Sequence, residues 1–222
     1  MELDPDKIKK YNQDYRRWLA GIPEDCYRYE CDICYCLAHV IASAAQKDGY
    51  QPSKICSTTS KRGDNFTNYV SVNLRNEQTN QFEEVKYDYH IATAIDVPLY
   101  KGSDKTETLV ADPILFGKDL VTLKQWKQAM GCPDYDFHKA PLGKPLLASP
   151  SGYNIMKGDP ADLDADARIQ IDNAMKNITR CQNLAAVGWK KEAPKRYAPL
   201  VSMLMRSVQR EGAARLSADK LR

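Results

Sequence analysis

The strand-forming runs of this chain all lie in its middle, behind two helical patterns, and that order excludes an alternating βαβ architecture. They cover residues 54–58, 68–75, 85–95 and 108–111, each rich in β-branched and aromatic side chains. The second and third flank an Asn/Gln/Thr turn at residues 76–80. Ahead of them, Asp4-Pro5 starts a helix in which Ile8, Tyr11, Tyr15, Trp18 and Leu19 recur at helical spacing, up to Gly21 and Pro23. A cysteine-rich turn over residues 26–31 follows. Residues 34–47 then read as a buried helix, with Leu37, Val40, Ile41 and Ala44 inward and Gly49 as its stop. The last strand runs into Asp112-Pro113, after which Thr122 stands where it can N-cap a helix through Met130. The expected fold class is α+β, an antiparallel sheet with helices before and after it.

At 222 residues the chain can bury one good-sized core. We expect residues 1–140 to form that core. Residues 141–222 are expected to be a Pro/Gly/Ser-rich linker and a helical extension packed on it, with helices patterned over 164–187 and 198–216. Charge is uneven: residues 190–222 hold nine Lys/Arg against three Asp/Glu, a net +6, while the whole chain is only +3. A modest basic tail suits docking to a protein or an acidic surface, and no nucleic-acid-binding motif accompanies it. A mean hydropathy of −0.57 and the lack of an apolar stretch of about 18 residues argue against a membrane span. Residues 1–10 carry charges of both signs and no apolar signal core. The expected setting is therefore the cytoplasm, or delivery by a specialised system into the cytosol of another cell. Seven cysteines, an odd number, fit a reducing compartment better than a disulfide framework.

A nucleophilic thiol needs a lowered pKa, a nearby imidazole and backbone donors for an oxyanion. The first turn of a helix supplies the first and the last of these. Cys34 stands where the polar turn passes into the buried helix, while Cys36, near the opposite side of that helix, suits the core. A buried structural cysteine is the plain alternative for either. Of the three histidines, His39 lies five positions on, about 500° around the helix at ~100° per residue, so it diverges from Cys34 and suits a packed or supporting role. His138 falls in an acidic, Pro-containing stretch expected to be a solvated loop. His90 sits mid-strand between Tyr89 and Ile91, where an apolar residue or threonine would be less costly, and this marks it as the candidate base. A lone strand histidine is more often structural, so the pairing with Cys34 carries the weight. For the group that orients the imidazole, Asp112 leads because it ends a neighbouring strand. Asp96 and Asp88 remain open, and Asp-Pro also serves simply to start a turn.

Three segments carry a resemblance to a known family. The run Asp32-Ile33-Cys34-Tyr35-Cys36-Leu37-Ala38-His39 resembles the nucleophile segment of bacterial protein-glutamine deamidases (protein glutaminases), D-G-C-Y-A-R-A-H. Tyr89-His90-Ile91-Ala92 is similar to the Y-H-V-A segment that holds the family's catalytic histidine. Val110-Ala111-Asp112-Pro113-Ile114-Leu115-Phe116, with Val121-Thr122 and Gln125-Trp126 beyond it, resembles its V-I-D-P segment, whose aspartate completes the triad. The three occur in the family's order, over residues 23–130. Ile33, Cys36 and Leu37 stand where the family has glycine, alanine and arginine.

The resemblance implies a papain-like or transglutaminase-like core, a nucleophile helix packed on an antiparallel sheet. It implies Cys34 as nucleophile, His90 as acid and base, and Asp112 as the group that orients His90. The reaction implied converts a glutamine side chain to glutamate with release of ammonia, on a protein with an accessible glutamine, with no cofactor and no metal. The family's habits also imply a bacterial effector or toxin, and with it an inhibitory or immunity protein. Transglutaminases and cysteine peptidases use the same triad, the first letting an amine resolve the thioester, the second cutting a backbone amide. From another class, Cys26, Cys31, Cys34 and Cys36 admit a metal or redox reading. Against it, Cys34-x-Cys36 is poor zinc spacing and no βαβ unit precedes Cys31-x-x-Cys34. A Cys31–Cys34 disulfide as an off-switch is the form of it that survives. A pure interaction module built on the basic tail is the remaining alternative.

Overall fold

A computed structural model of the chain describes residues 3–28, 33–58, 70–76, 81–87, 89–130, 136–144, 146 and 160–186. Helix α1, Pro5–Leu19, begins as the sequence requires: the Asp4 carboxylate accepts from the N–H groups of Asp6 and Lys7, and Pro5 occupies the first turn. Its inner face buries Tyr11, Tyr15, Trp18 and Leu19. The buried phenols are satisfied, Tyr11 donating to the Pro98 carbonyl at 3.2 Å and Tyr15 to that of Gly117 at 3.0 Å. A short helix α2, Asp25–Arg28, takes up part of the stretch expected as a turn. Helix α3, Cys34–Lys47, has the expected bounds and stops at Gly49, whose φ of +87° disfavours any residue with a side chain.

The strands are β1, Pro52–Thr58; β2, Val70–Asn76; β3, Gln81–Tyr87; β4, Tyr89–Pro98; and β5, Thr106–Ala111. After them come α4, Pro113–Phe116; β6, Val121–Thr122; α5, Leu123–Ala129; β7, Asp136–Pro141; and α6, Pro160–Ala186. Five strands form an antiparallel sheet in the order β6-β5-β4-β1-β7, and β2 and β3 form a separate hairpin. Two expectations are corrected here. Residues 85–95, read as one strand because no Gly or Pro interrupts the run, divide between the hairpin and the sheet. His138 is not in a loop but in edge strand β7, opposite Cys56 of β1, and is half-buried. The β1 ladder supplies the pairing that a short run ending in Pro141 does not announce.

Side chains alternate across the sheet and build two apolar layers. On one face Ile95, Val97, Leu109 and Ala111 pack with Leu37, Val40 and Ile41 of α3, with α1, and with Ala167, Ile171, Ala174 and Ile178 of α6. On the other, Ile55, Ala92, Ala94 and Val110 pack with Trp126 of α5 and Met130. Each large apolar side chain so buried contributes about 1.5–3 kcal/mol. Lys54 of β1 is fully buried, and burial pushes its pKa down from 10.5 to about 8. Among the described residues no helix is long and apolar enough to cross a membrane. The second patterned helix of the extension, 198–216, lies outside the described residues.

Candidate active site

The site forms where the first turn of α3 meets the starts and ends of three neighbouring strands. Ile33 holds the N-cap position of α3 and has no side-chain oxygen to offer, and the first turn contains no acid. The N–H groups of Cys36 and Leu37 bond the Ile33 carbonyl at 3.0 Å. Cys34 and Tyr35 occupy the first two helical positions, whose N–H groups have no acceptor within a helix. The dipole end and those donors thus converge beside the Cys34 thiol. Cys34 packs with Ala38, Cys56, Ile91, Ala140 and Leu146, while Cys36 points into the other cluster with α1 and α6.

His90 and Asp112 meet through the β4–β5 ladder. Thr93 pairs with Ala111, so the next residue, Asp112, lies level with Ala92 and on the face of β4 that carries His90. The contact is direct, His90 Nε2 to Asp112 Oδ2 at 2.7 Å, with both side chains buried. Asp112 also caps α4, its Oδ1 accepting from the Leu115 N–H at 3.2 Å, so the plain reading of Asp-Pro and the functional one describe the same residue. Burial works against charge on His90. The Asp112 carboxylate and the hydrogen bonds to Asp112 and Cys34 outweigh it, raising the His90 pKa from 6.5 to about 10. With Nε2 engaged by Asp112, Nδ1 is the nitrogen available to the thiol. Burial pushes the neighbouring thiols of Cys36 and Cys56 up from 9 to about 12.

The other candidates separate from this centre. His39 is buried in α3 with its Nε2 3.5 Å from Ser43 Oγ. Asp96 accepts from Thr108 Oγ1 at 2.5 Å and pairs with Lys139 at 2.7 Å, on an exposed part of the sheet. Asp88 and Cys31 lie outside the described residues, and with Cys31 the alternative of a Cys31–Cys34 off-switch. Cys26, Cys34, Cys36 and Cys56 are free thiols, and among the described residues no three His, Cys, Asp or Glu side chains gather as a metal site.

One residue in contact with the pair had been given no role. Trp126 donates its indole N–H to Asp112 Oδ2 at 2.7 Å and lies nearly parallel to the His90 ring, 20° apart with centroids 6.2 Å distant. The capping box of Thr122 and Gln125 starts α5 at Leu123, three residues before it. That capping pattern is legible in the sequence; the direction of the indole is not.

A family model described as glutaminase matches residues 11–130, a span that holds Cys34, His90, Asp112 and Trp126. A crystal structure of a mutant of pro-protein-glutaminase is similar in fold, with a TM-score of 0.51 at 19% identity over 72% of this chain and 56% of that one. The NMR structure of protein-glutaminase from Chryseobacterium proteolyticum matches 75% of this chain and 86% of its own, at 19% identity and a TM-score of 0.49. A crystal structure of protein-glutaminase matches 64% of this chain and 70% of its own, at 22% identity and a TM-score of 0.45. No curated protein matches the chain. β7 and α6 lie beyond the family match.

Proposed function

This chain belongs to the glutaminase family of protein-glutamine deamidases, and from that premise we propose that it hydrolyses glutamine side chains of a protein through Cys34, with His90 as acid and base and Asp112 orienting it. The observation that carries the reading is the buried 2.7 Å contact of His90 with Asp112, beside a cysteine that opens a helix. Cys34 sulfur, as thiolate, attacks the carboxamide carbon, and the new oxyanion faces the Cys34 N–H. The His90 imidazolium gives its proton to the amide nitrogen, the C–N bond breaks, and ammonia leaves a thioester. His90, now neutral, takes a proton from water. The hydroxide adds to the thioester, the C–S bond breaks, and glutamate and the thiol are released.

Free thiols at Cys26, Cys34, Cys36 and Cys56 suit work in a reducing compartment. A role as an effector or toxin in the cytosol of a target cell, with an immunity protein as partner in the producer, is proposed from the habits of the family. The test of the chemistry is to incubate wild type and Cys34→Ala with a glutamine-rich protein under reducing conditions, following ammonia and substrate mass together. Ammonia with amide-to-acid conversion, lost in the variant, is the expected result. Ammonia with cross-linked or amine-bearing product would assign the chain to transglutamination. Equal ammonia from both proteins would remove Cys34 from the mechanism.

A further inference from the structure

Three N–H groups converge on the Asp112 carboxylate, and the reaction above uses only one of their owners. His90 Nε2 and Trp126 Nε1 both lie 2.7 Å from Oδ2, and the Leu115 N–H lies 3.2 Å from Oδ1. We propose that Trp126 is a positioning residue of the site: its indole N–H fixes Oδ2 on His90 and so keeps the imidazole turned toward Cys34. The role rests on the deamidation mechanism proposed for Cys34, His90 and Asp112.

The Leu115 bond comes from the backbone of α4 and holds one oxygen, about which the carboxylate can pivot. A second bond, to the other oxygen and from a different element, fixes the plane of the group. Indole nitrogen is a donor only, so it cannot take the proton that His90 moves, and it grips the carboxylate in either protonation state of the imidazole. The indole is itself held. It is fully buried, it meets the Phe137 ring in a T-shaped contact with centroids 6.4 Å apart at 67°, and the Lys127 ammonium lies 4.2 Å from the Phe137 ring centre. It also walls one side of the imidazole and keeps water from the His90–Asp112 bond, which is stronger in a dry setting. A buried tryptophan whose N–H merely needs a partner is the alternative. The two differ in a measurable way: packing alone does not set the titration of His90.

Trp126→Phe keeps an aromatic wall and removes the donor. As a second variant, 3-benzothienylalanine at position 126 keeps the full bicyclic shape with sulfur in place of N–H, and it decides the matter should the phenylalanine protein fail to fold. Two readouts are taken on the whole chain: the His90 titration by 15N NMR of the imidazole, and ammonia release from a glutamine-rich protein as a function of pH. Both variants are expected to lower kcat about 10- to 100-fold, the worth of one hydrogen bond to a charged group, with KM nearly unchanged. The loosened pair no longer holds the imidazolium, so the His90 midpoint and the alkaline limb of kcat are expected to fall by at least about one pH unit. A folded variant with wild-type kcat and an unmoved His90 midpoint overturns the proposal. Wild type that releases no ammonia would instead overturn the deamidation reading, while the NMR titration still reports on Trp126.

Discussion

Replacing Asp112 by asparagine keeps the shape of the side chain and removes the charge that His90 depends on. The carboxylate offers two oxygens to three N–H donors. An amide has one oxygen, so at least one donor must face an NH2 group. In the wild type His90 is raised from 6.5 to about 10, a lift of about 3.5 pH units or about 5 kcal/mol. Because the folded value lies above the unfolded one, that stabilisation is fully present below pH 6.5 and is lost as pH climbs through 10. At pH 8 about 3 kcal/mol of it remains. Without the carboxylate, burial opposes the charge while the contact with Cys34 still favours it, so the His90 pKa falls toward its ordinary value. At the ordinary value of 6.5 the imidazolium fraction at pH 8 is a few per cent, so the loss reaches roughly 30-fold before any loss of orientation is counted. We expect kcat of Asp112→Asn to fall by about 10² to 10⁴ at pH 8, with activity recovering in part toward pH 6. Stability is expected to fall by about 3 kcal/mol at pH 8. Ammonia release between pH 5.5 and 9.5 and urea unfolding at pH 8 measure the two. A variant within threefold of wild-type kcat, with the same pH profile, would falsify the assignment of Asp112 as the charge partner of His90.

Two further outcomes follow from the buried groups. Lys54, lowered from 10.5 to about 8, costs stability while it is charged in the fold, and the cost fades as pH rises from 8 to 10.5. Lys54→Met removes that titration, so the stability of wild type relative to the variant should rise by about 3 kcal/mol between pH 7 and pH 10.5 in urea unfolding; a gap that does not change with pH would refute this. Cys36 and Cys56, pushed up to about 12, stay protonated at pH 8. Iodoacetamide should reach Cys34 before either of them, as peptide mass mapping would reveal, and earlier labelling of Cys36 or Cys56 would contradict the site described here.

Local signals in this chain are strong and were legible residue by residue. Asp4-Pro5, Gly49 and the Thr122 N-cap act through hydrogen bonds and dihedral preferences within a few residues, so α1, α3 and α5 start or stop where those residues stand. His90 stood out because a strand interior seldom holds an imidazole, and Asp112 because it ended the next strand. The β7 edge strand, with His138 on it, carried no comparable mark: its pairing with β1 depends on a partner some eighty residues away. The change of sheet between β3 and β4 was invisible for the same reason.

What the sequence determined by itself was the α+β order and the starts or stops of α1, α3 and α5, and its short motifs offered Cys34, His90 and Asp112 as candidates, since each rests on local chemistry. What only the tertiary structure decided is which groups touch. Asp112 meets His90 and not a turn alone because the β4–β5 register sets Ala111 opposite Thr93. Trp126 reaches the same oxygen because α5 folds back on the face of the sheet opposite α3. Lys54 loses its water because β1 lies inside the sheet, between β4 and β7, and the side chain is fully buried. Contacts of this kind join elements far apart in the chain, and no window of residues contains both partners.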